Sequence, residues 1–181
     1  KAGLTKESLN QIFVLSMNGG EARQVTHAIN GGQHFAWSPN STDIAFATLN
    51  EATNKEEVEK GYTAFEITNN DMFVSSKPLV SHIWLANTET AETRRLTDGT
   101  WTLPQVIPPS APSSPFSWSP DGKSILFVKV ESPYSGDAMT RSIQLLNVAD
   151  STFKPLTKRT KLEAYPNFSP DGNKISYWYK Q

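Results

Sequence analysis

The sequence predicts an all-β fold assembled from repeated four-stranded antiparallel sheets. Three observations predict it. The composition favours turns and short strands, one turn phrase occurs three times, and a second phrase, an apolar strand with a Thr ending, alternates with it along the chain. The length of 181 residues corresponds to about one ordinary domain.

The composition is that of a loop-rich protein made of short strands. Hydrophobic residues make up 37% of the chain and charged residues 19%, and both shares lie below those of average globular proteins. The remaining residues are rich in hydroxyl and amide side chains, with 19 Ser, 17 Thr and 12 Asn. The chain also contains 12 Pro. Such residues favour turns over helices, while 5 Trp, 5 Tyr and 9 Phe exclude a disordered chain.

Charge and cysteine content exclude several classes of partner and site. The net charge is −1 and no block of Lys or Arg stands out, so we expect neither nucleic acid nor a membrane surface as a partner. No apolar run approaches the roughly 18 residues of a membrane span. The chain has no Cys, which excludes disulfides and thiolate chemistry but leaves a periplasmic or secreted and a cytoplasmic location equally open.

The turn phrase is an aromatic strand that ends in Ser-Pro-Asp-Gly or a close variant. Pro presets the backbone at the second position of such a turn and Gly suits the fourth, so each copy predicts a hairpin. In the first copy Asn40 and Ser41 replace Asp-Gly, which predicts a looser turn. The copies lie at 35–41, 116–122 and 166–172, and the alternating strands that follow them lie at 43–46, 124–128 and 174–178.

The second phrase pairs an apolar strand with a Leu-Thr or Val-Thr ending. Short polar links join its parts, and it alternates strictly with the turn phrase, so that each period contains four antiparallel strands. Four-stranded units that repeat every ~40–50 residues are typical of the blades of a β-propeller. The copies lie at 12–15 with 25–26, at 83–85 with 96–97, and at 143–146 with 156–157.

These phrases divide residues 1–181 into a partial propeller. Two stretched regions belong on blade ends, where loops carry recognition surfaces. The first, 49–80, is predicted to hold a helical turn at 54–60 and a hairpin at 62–73, and the second, 98–115, is a Pro-rich loop that cannot be a central strand. The predicted parts are the end of one blade at 11–26, a blade at 33–97 with the 49–80 insertion, a blade at 114–157 preceded by the Pro-rich loop, and the start of a further blade at 165–179.

The number of blades is too small for a closed ring. The parts amount to about three blades, whereas closed propellers typically have about 4–8. We therefore expect the chain to belong to a longer polypeptide, which we favour, or to form half of a ring that a second copy closes by self-association.

The sequence shows no catalytic machinery of its own. No Gly-x-Ser-x-Gly nucleophile elbow occurs. His27, His34 and His82 fall at strand ends of the repeat, and we interpret them as structural or surface residues. The run Gly122-Lys123-Ser124 resembles the end of a phosphate-binding loop, but Ser117 stands where the first glycine of that motif is needed. We therefore expect no catalytic residue, and the substrate-binding residues stay unknown.

The sequence also gives no sign of a metal site or a cofactor. Cys and His-x-x-x-His pairs are absent and the carboxylates are scattered. Asp121 and Asp171 are interpreted as turn residues, and the glycosylation sequons at Asn40 and Asn167 coincide with the repeated turn.

The aromatic residues follow the repeat and are expected to form the core between blades. Trp101 lies outside that pattern, in the Pro-rich loop, and is expected either to line the propeller mouth or to pack on the neighbouring blade. The residues of the repeat pattern are Trp37, Phe46, Trp84, Trp118, Phe127, Phe168 and Trp178.

The repeat, with its two insertions, resembles a known family. The phrase Trp-Ser-Pro-Asp-Gly-Lys-x-Ile-x-Phe at 118–127 resembles the WD40-like propeller repeats of the prolyl oligopeptidase family. The resemblance is greatest to its acylaminoacyl-peptidase and dipeptidyl-peptidase-like branch, and extends over 64–67, 81–85, 94–99 and 101–104. It implies an N-terminal propeller, present here in part, that gates peptide access to a separate C-terminal α/β-hydrolase domain.

This resemblance implies peptide substrates and the hydrolase domain as partners, and no catalytic residue within this chain. Dipeptidyl peptidases of the family use adjacent glutamates on a short propeller helix to hold a substrate amine. Glu56 and Glu57 are the candidate pair here, although their flanking residues match poorly and we interpret them as a solvated face. The rival interpretation is a TolB-type propeller scaffold for protein–protein interaction without a hydrolase. A lyase propeller is a third possibility, but it would need His and carboxylate clusters that the repeat does not supply.

Overall fold

The computed structural model describes residues 9–62, 64, 77–104, 116–134, 141–158 and 162–179, except for the side chains of Lys55 and Val58. These residues form twelve β-strands and one five-residue helix. The elements are β1 Phe13–Val14, β2 Arg23–Gln24, β3 Gly32–Trp37, β4 Asp43–Leu49, α1 Lys55–Glu59, β5 Ser81–Asn87, β6 Thr93–Arg95, β7 Phe116–Trp118, β8 Ser124–Val130, β9 Arg141–Asn147, β10 Phe153–Pro155, β11 Glu163–Phe168 and β12 Ile175–Tyr179.

The strands form four antiparallel sheets that follow one another along the chain. The first sheet is β1-β2, the second is β3-β4-β5-β6, the third is β7-β8-β9-β10, and the fourth is β11-β12. Every strand pairs with its neighbour in sequence, so each sheet is a simple meander. The predicted fold class, a partial β-propeller built of four-stranded antiparallel blades, is therefore confirmed.

The Ser-Pro-Asp-Gly turn is closed by side chains as well as by the backbone. The Gly122 N–H donates to the Ser119 carbonyl at 2.9 Å, and Gly122 adopts a φ of 70°. The Ser119 hydroxyl donates to the Asp121 carboxylate at 2.6 Å and accepts from the Ser124 N–H at 2.9 Å. That hydroxyl lowers the pKa of Asp121, and the Lys123 N–H contributes to the same effect. Asp121 is thus a turn residue.

The first copy of the turn is not looser, contrary to the expectation from its sequence. The Ser41 N–H donates to the Ser38 carbonyl at 3.0 Å, and the Asn40 side chain accepts from the Thr42 N–H at 3.0 Å. The backbone is the same and the residue type differs, because Ser41 takes the left-handed conformation, φ 61°, that Gly122 takes in the second copy. A side chain in this conformation is unfavourable.

Exchanging these residues tests the turn. We expect Ser41→Gly to raise the free energy of unfolding by about 0.5–1 kcal/mol, because the relief at positive φ exceeds the added flexibility of the unfolded chain. We expect Gly122→Ser to lower it by a similar amount, and urea denaturation of both variants measures the effect. A destabilised Ser41→Gly variant would contradict this account of the turn.

The Thr of the second phrase ends each outer strand. Leu96 follows the last residue of β6, and its N–H still donates to the Ile83 carbonyl at 2.9 Å. The Thr97 hydroxyl in turn accepts a hydrogen bond from the Ile83 N–H at 2.9 Å. The hydroxyl thus pairs the buried Ile83 amide within β5 at the point where β6 has already ended. The same bond joins Ile12 to Thr26 at 2.8 Å and Ile143 to Thr157 at 2.9 Å.

The sheets pack face to face, and the core lies between them. One cluster joins the second and third sheets and includes Ala45, Ile83, Phe127 and Leu146. A smaller cluster joins the first and second sheets and includes Ile12, Val25, Ile44 and Phe46. The second sheet is therefore buried on both faces by its neighbours in the stack, as in sheet-on-sheet packing generally.

The expectation that the repeat aromatics form the core holds for some of them and is wrong for others. Trp118 is buried because the second sheet covers it, and its indole N–H donates to the Ala36 carbonyl at 3.1 Å. Trp37, at the same repeat position on β3, faces the first sheet, of which only β1 and β2 are described, and it is 46% exposed. Trp178 on β12 is 74% exposed. Phe46 and Phe127 are buried, and Trp84 and Phe168 are half-buried.

The two insertions are described in part. The predicted helical turn at 54–60 is present as α1. Of the predicted hairpin at 62–73, only residues 62 and 64 lie within the described residues, and the Pro-rich loop is described only as far as Pro104. Within the described ranges, no helix has the length and apolar character needed to cross a bilayer.

Candidate functional site

The connections between strands lie at two ends of the stack. The Ser-Pro-Asp-Gly turns lie together at one end, which we call the turn end. The second and third turns each touch the turn of the sheet before: the ideal Cβ position of Gly122 lies 3.9 Å from Pro39 Cδ, and that of Gly172 lies 3.4 Å from Pro120 Cδ. In an antiparallel meander, every second connection falls at the same end. The β4–β5 and β6–β7 connections, which carry both insertions, therefore lie at the opposite end, which we call the long-connection end.

A short crossing at the long-connection end ties the second and third sheets together. Thr102 and Val130 exchange two backbone hydrogen bonds of 2.9 Å. The Leu103 N–H donates to the Ser81 carbonyl at 3.1 Å, and the Ser81 N–H donates to the Thr102 hydroxyl at 2.9 Å. The chain thus leaves β6, bonds to the start of β5, and bonds to the end of β8 in the next sheet.

Trp101 packs down on the neighbouring sheet, the second of the two placements that the sequence allowed. It is 6% exposed. Its ring stacks on Phe127 at a centroid distance of 5.3 Å and meets the edge of Phe153 at 5.4 Å. On its other side it makes a T-shaped contact with His82 at 4.7 Å. Aromatic pairs in these geometries stabilise beyond the area they bury.

Gly99 allows Trp101 to occupy this position. Its φ is +126°, and a Cβ at this position would lie 2.8 Å from Cδ1 of Trp101. Both the backbone conformation and the space thus require glycine. No residue type signals this in the sequence, because Gly99 stands in an ordinary Thr-Asp-Gly turn.

We expect Gly99→Ala to lower the free energy of unfolding by about 2–3 kcal/mol, because the methyl group displaces Trp101 in addition to straining the backbone. The matched control is Gly61→Ala, since Gly61 also has positive φ, +90°, but has nothing within 4 Å of the Cβ position. Denaturation curves monitored by Trp fluorescence measure both. Equal effects of the two substitutions would show that the contact with Trp101 is not responsible.

His82 is a buried neutral histidine at the same end. It is 0% exposed, its Nε2 lies 3.1 Å from the Gly99 carbonyl, and its Nδ1 lies 3.3 Å from the Thr97 hydroxyl. A carbonyl only accepts, so Nε2 carries the proton and donates. Burial, assisted by the positive charge of Arg95, lowers the pKa of His82 to about 4. The interpretation of His82 as structural agrees with this environment.

This pKa predicts a loss of stability in mild acid. Between pH 6.5 and about 4 the unfolded chain binds a proton at His82 that the folded chain does not bind. The free energy of unfolding therefore decreases as the pH is lowered through this window. Protonation of His82 contributes on the order of 2–3 kcal/mol to this decrease. Urea denaturation at several pH values measures it. His82→Gln is expected to flatten the slope, and an unchanged slope in His82→Gln would contradict the assignment.

A cavity of about 490 Å³ opens between the first and second sheets. Arg95 is held on its wall by three polar contacts: it donates to the Thr97 carbonyl at 2.7 Å and to the Asn50 side chain at 3.1 Å, and pairs with Asp98 at 3.1 Å. The guanidinium also lies 5.8 Å from the centre of the Trp84 ring. These contacts fix a cation in one place beside an aromatic surface.

The rest of the lining combines apolar and polar groups. Trp84 is half-buried, and its indole N–H has no acceptor among the described residues. Ile29 is 55% exposed, and Glu51 is exposed where the chain leaves β4. Most lining residues belong to the long-connection end, including His27, Ile29, Leu49, Asn50, Glu51 and Arg95.

The structure places the sequence candidates apart from one another. His27 is exposed and lies 3.2 Å from the Gln24 amide, whereas His34 is buried within β3. Glu56 and Glu57 lie exposed on α1, and Gly122-Lys123-Ser124 lies at the turn end. No group of three or more His, Cys, Asp or Glu within the described ranges could hold a metal. Sequence reasoning missed the Arg95 cavity, because the Leu-Thr ending that follows Arg95 does not show what faces that arginine.

Comparison with known proteins supports the fold but no family. No protein-family model and no curated protein matches the sequence. Among solved structures, a putative TolB from Agrobacterium tumefaciens matches 95% of this chain at 17% identity with a TM-score of 0.60. An oligogalacturonate lyase from Vibrio parahaemolyticus matches 94% of the chain at 10% identity with a TM-score of 0.58.

A putative dipeptidyl aminopeptidase IV from Bacteroides ovatus also matches, over 83% of this chain at 17% identity, but with a TM-score of only 0.42. The chain spans 46%, 39% and 22% of the lengths of these three proteins, respectively. The matches to the TolB and lyase structures show a propeller of this general kind, whereas membership of the prolyl oligopeptidase family is not confirmed.

Proposed function

We propose that this chain is a non-catalytic propeller segment that binds an extended polypeptide at its long-connection end. One observation carries the proposal: the long connections and most of the cavity lining lie at one end of the stack, while tight turns fill the other. Loops held by a rigid scaffold are the usual position of recognition residues.

The chemistry of the cavity suits a polypeptide. The guanidinium of Arg95 keeps its Nη1 donors beyond those used by Thr97, Asn50 and Asp98, and a carbonyl or carboxylate of a bound chain accepts from them. Trp84 and Ile29 supply apolar surface beside it for a neighbouring side chain. Pockets of this kind combine apolar walls with a few fixed polar groups.

The TolB-type interpretation, a scaffold for protein–protein interaction, is supported by the matching TolB propeller. The second candidate, a propeller that gates peptide access to a separate hydrolase domain, rests on the sequence resemblance and on the two insertions. Both use the same recognition end and differ in what the bound polypeptide meets next. A Gly-x-Ser-x-Gly elbow encoded in the same reading frame beyond residue 181 would favour the peptidase.

Site-specific crosslinking tests the recognition end directly. The chain has no Cys, so a benzophenone can be attached to a single cysteine introduced by Glu51→Cys at the long-connection end or by Glu89→Cys at the turn end. Both positions are exposed. With a biotinylated library of unstructured 12-residue peptides as the probe, we expect at least about fivefold more capture at position 51 than at position 89.

Arg95→Ala in the Glu51→Cys background is expected to reduce this capture about tenfold, since a charge-assisted hydrogen bond is lost. The matched control is Arg94→Ala, because Arg94 precedes Arg95 on β6, points to the other face and donates to the Val148 carbonyl at 2.8 Å. Equal capture at the two ends, or equal loss in the two arginine variants, would contradict the proposal.

A further inference from the structure

The sequence contains two Asn-Gly pairs, and the structure holds them very differently. Asn18-Gly19 lies in the link between β1 and β2, and Asn30-Gly31 lies just before β3. In such a pair a side-chain amide is followed by a residue without a side chain, so the next backbone nitrogen can approach the amide carbon without a steric obstacle. The same dipeptide thus occurs in two environments that can be compared directly.

The Asn18-Gly19 link is open and held only by local bonds. Residues 15–23 are all exposed, and nothing lies within 4 Å of the Cβ position of Gly19 or Gly20. The Gly19 N–H donates to the Ser16 carbonyl at 3.1 Å, and the Asn18 N–H donates to the Ser16 hydroxyl at 3.1 Å. Because these bonds join neighbours in the chain and face water, the link can rearrange without opening the sheet.

The same link in the second sheet shows that the exposure belongs to the link itself. The β5–β6 link aligns with the β1–β2 link without a gap, so that Glu89 is the counterpart of Asn18. In both links this residue donates its N–H to the side chain two residues before it, which for Glu89 is Asn87, at 2.9 Å. Glu89 is exposed although the second sheet has a described neighbour on each face.

Asn30-Gly31, in contrast, is fixed by hydrogen bonds and by packing. The Asn30 side-chain amide donates to the carbonyls of residues 49 and 50, at 3.3 and 2.7 Å. The Gly31 N–H donates to the Ala28 carbonyl at 3.0 Å. Gly31 is buried, and its Cβ position lies 3.2 Å from the backbone nitrogen and oxygen of Asn10. Attack by the Gly31 nitrogen would therefore require bonds between separate segments to break together.

We propose that Asn18 is a site of spontaneous deamidation, in which the Gly19 backbone nitrogen attacks the side-chain carbon of Asn18. A bond forms between the Gly19 nitrogen and Asn18 Cγ, and the bond from Cγ to the amide nitrogen breaks. Ammonia leaves with the proton that the Gly19 nitrogen gives up. Water then opens the five-membered succinimide ring at one of its two carbonyls, which leaves aspartate or isoaspartate. No electron is transferred, and water is the only co-reactant.

The modification changes the end of the stack that lies opposite the recognition end. At the turn end the Thr88 N–H of the β5–β6 link donates to the Thr42 carbonyl at 2.8 Å, and the β1–β2 link falls at the same end. Each event replaces a neutral amide by a carboxylate, which makes the formal net charge of −1 more negative by one unit. Isoaspartate also lengthens the backbone of the link by one carbon atom.

Peptide mass spectrometry after incubation at mildly alkaline pH tests the site. Tryptic cleavage places Asn18 in the peptide 7–23 and Asn30 in the peptide 24–55. In the folded chain we expect Asn18 to gain the mass difference between an amide and a carboxyl group at least about tenfold faster than Asn30. In denaturing urea the two rates are expected to agree within about twofold, because the bonds that protect Asn30 are lost. Equal rates in the folded chain, or a faster reaction at Asn30, would overturn the proposal.

Two glutamine variants assign the reaction to one residue of the peptide 7–23. Asn18→Gln keeps an amide, but its attack would have to close a larger, six-membered ring, so we expect this peptide to keep its mass. The matched control is Asn10→Gln, because Asn10 is also exposed, lies in the same peptide and is followed by Gln11 rather than by glycine. This control is expected to react at the wild-type rate. A mass gain that persists in Asn18→Gln, or one that Asn10→Gln abolishes, would overturn the proposal.

Discussion

The structure depends on the fact that each sheet can be buried only by the sheets on either side of it. A four-stranded antiparallel sheet has two faces, and in this chain both faces of the central strands carry apolar residues. In β4, Ile44 and Phe46 face the first sheet, and Ala45 and Ala47 face the third. Among the described residues no separate layer covers these faces, so the sheets stack, and a face without a described neighbour is exposed.

The crossing that joins the second and third sheets shows how this constraint shapes the long-connection end. Trp101 fills the space between the sheets, and Gly99 and His82 provide the backbone conformation and the ring surface that it needs. Arg95 ends the outer strand and lies on the wall of the cavity, close enough to influence the pKa of His82. Packing between sheets and the recognition surface therefore share residues.

The sequence predicted the features that rest on local chemistry. The turns, the meander and the helical turn all follow from residues close together in the chain, such as Ser119 with Asp121 and Gly122. It could not predict features that depend on what a neighbouring sheet covers. Trp37 and Trp118 hold the same repeat position, yet one is exposed and the other buried. The Arg95 cavity likewise arises between two sheets, and a single repeat contains no sign of it.

Amide hydrogen exchange tests the central claim, that mutual burial of neighbouring sheets holds this chain together. Strands buried on both faces should open only with the whole structure. The account predicts the slowest exchange in β4, β5, β8 and β9, with faster exchange in the short outer strands β6 and β10. Exchange at one uniform rate across all strands, or slower exchange in β6 and β10 than in β4 and β8, would contradict it.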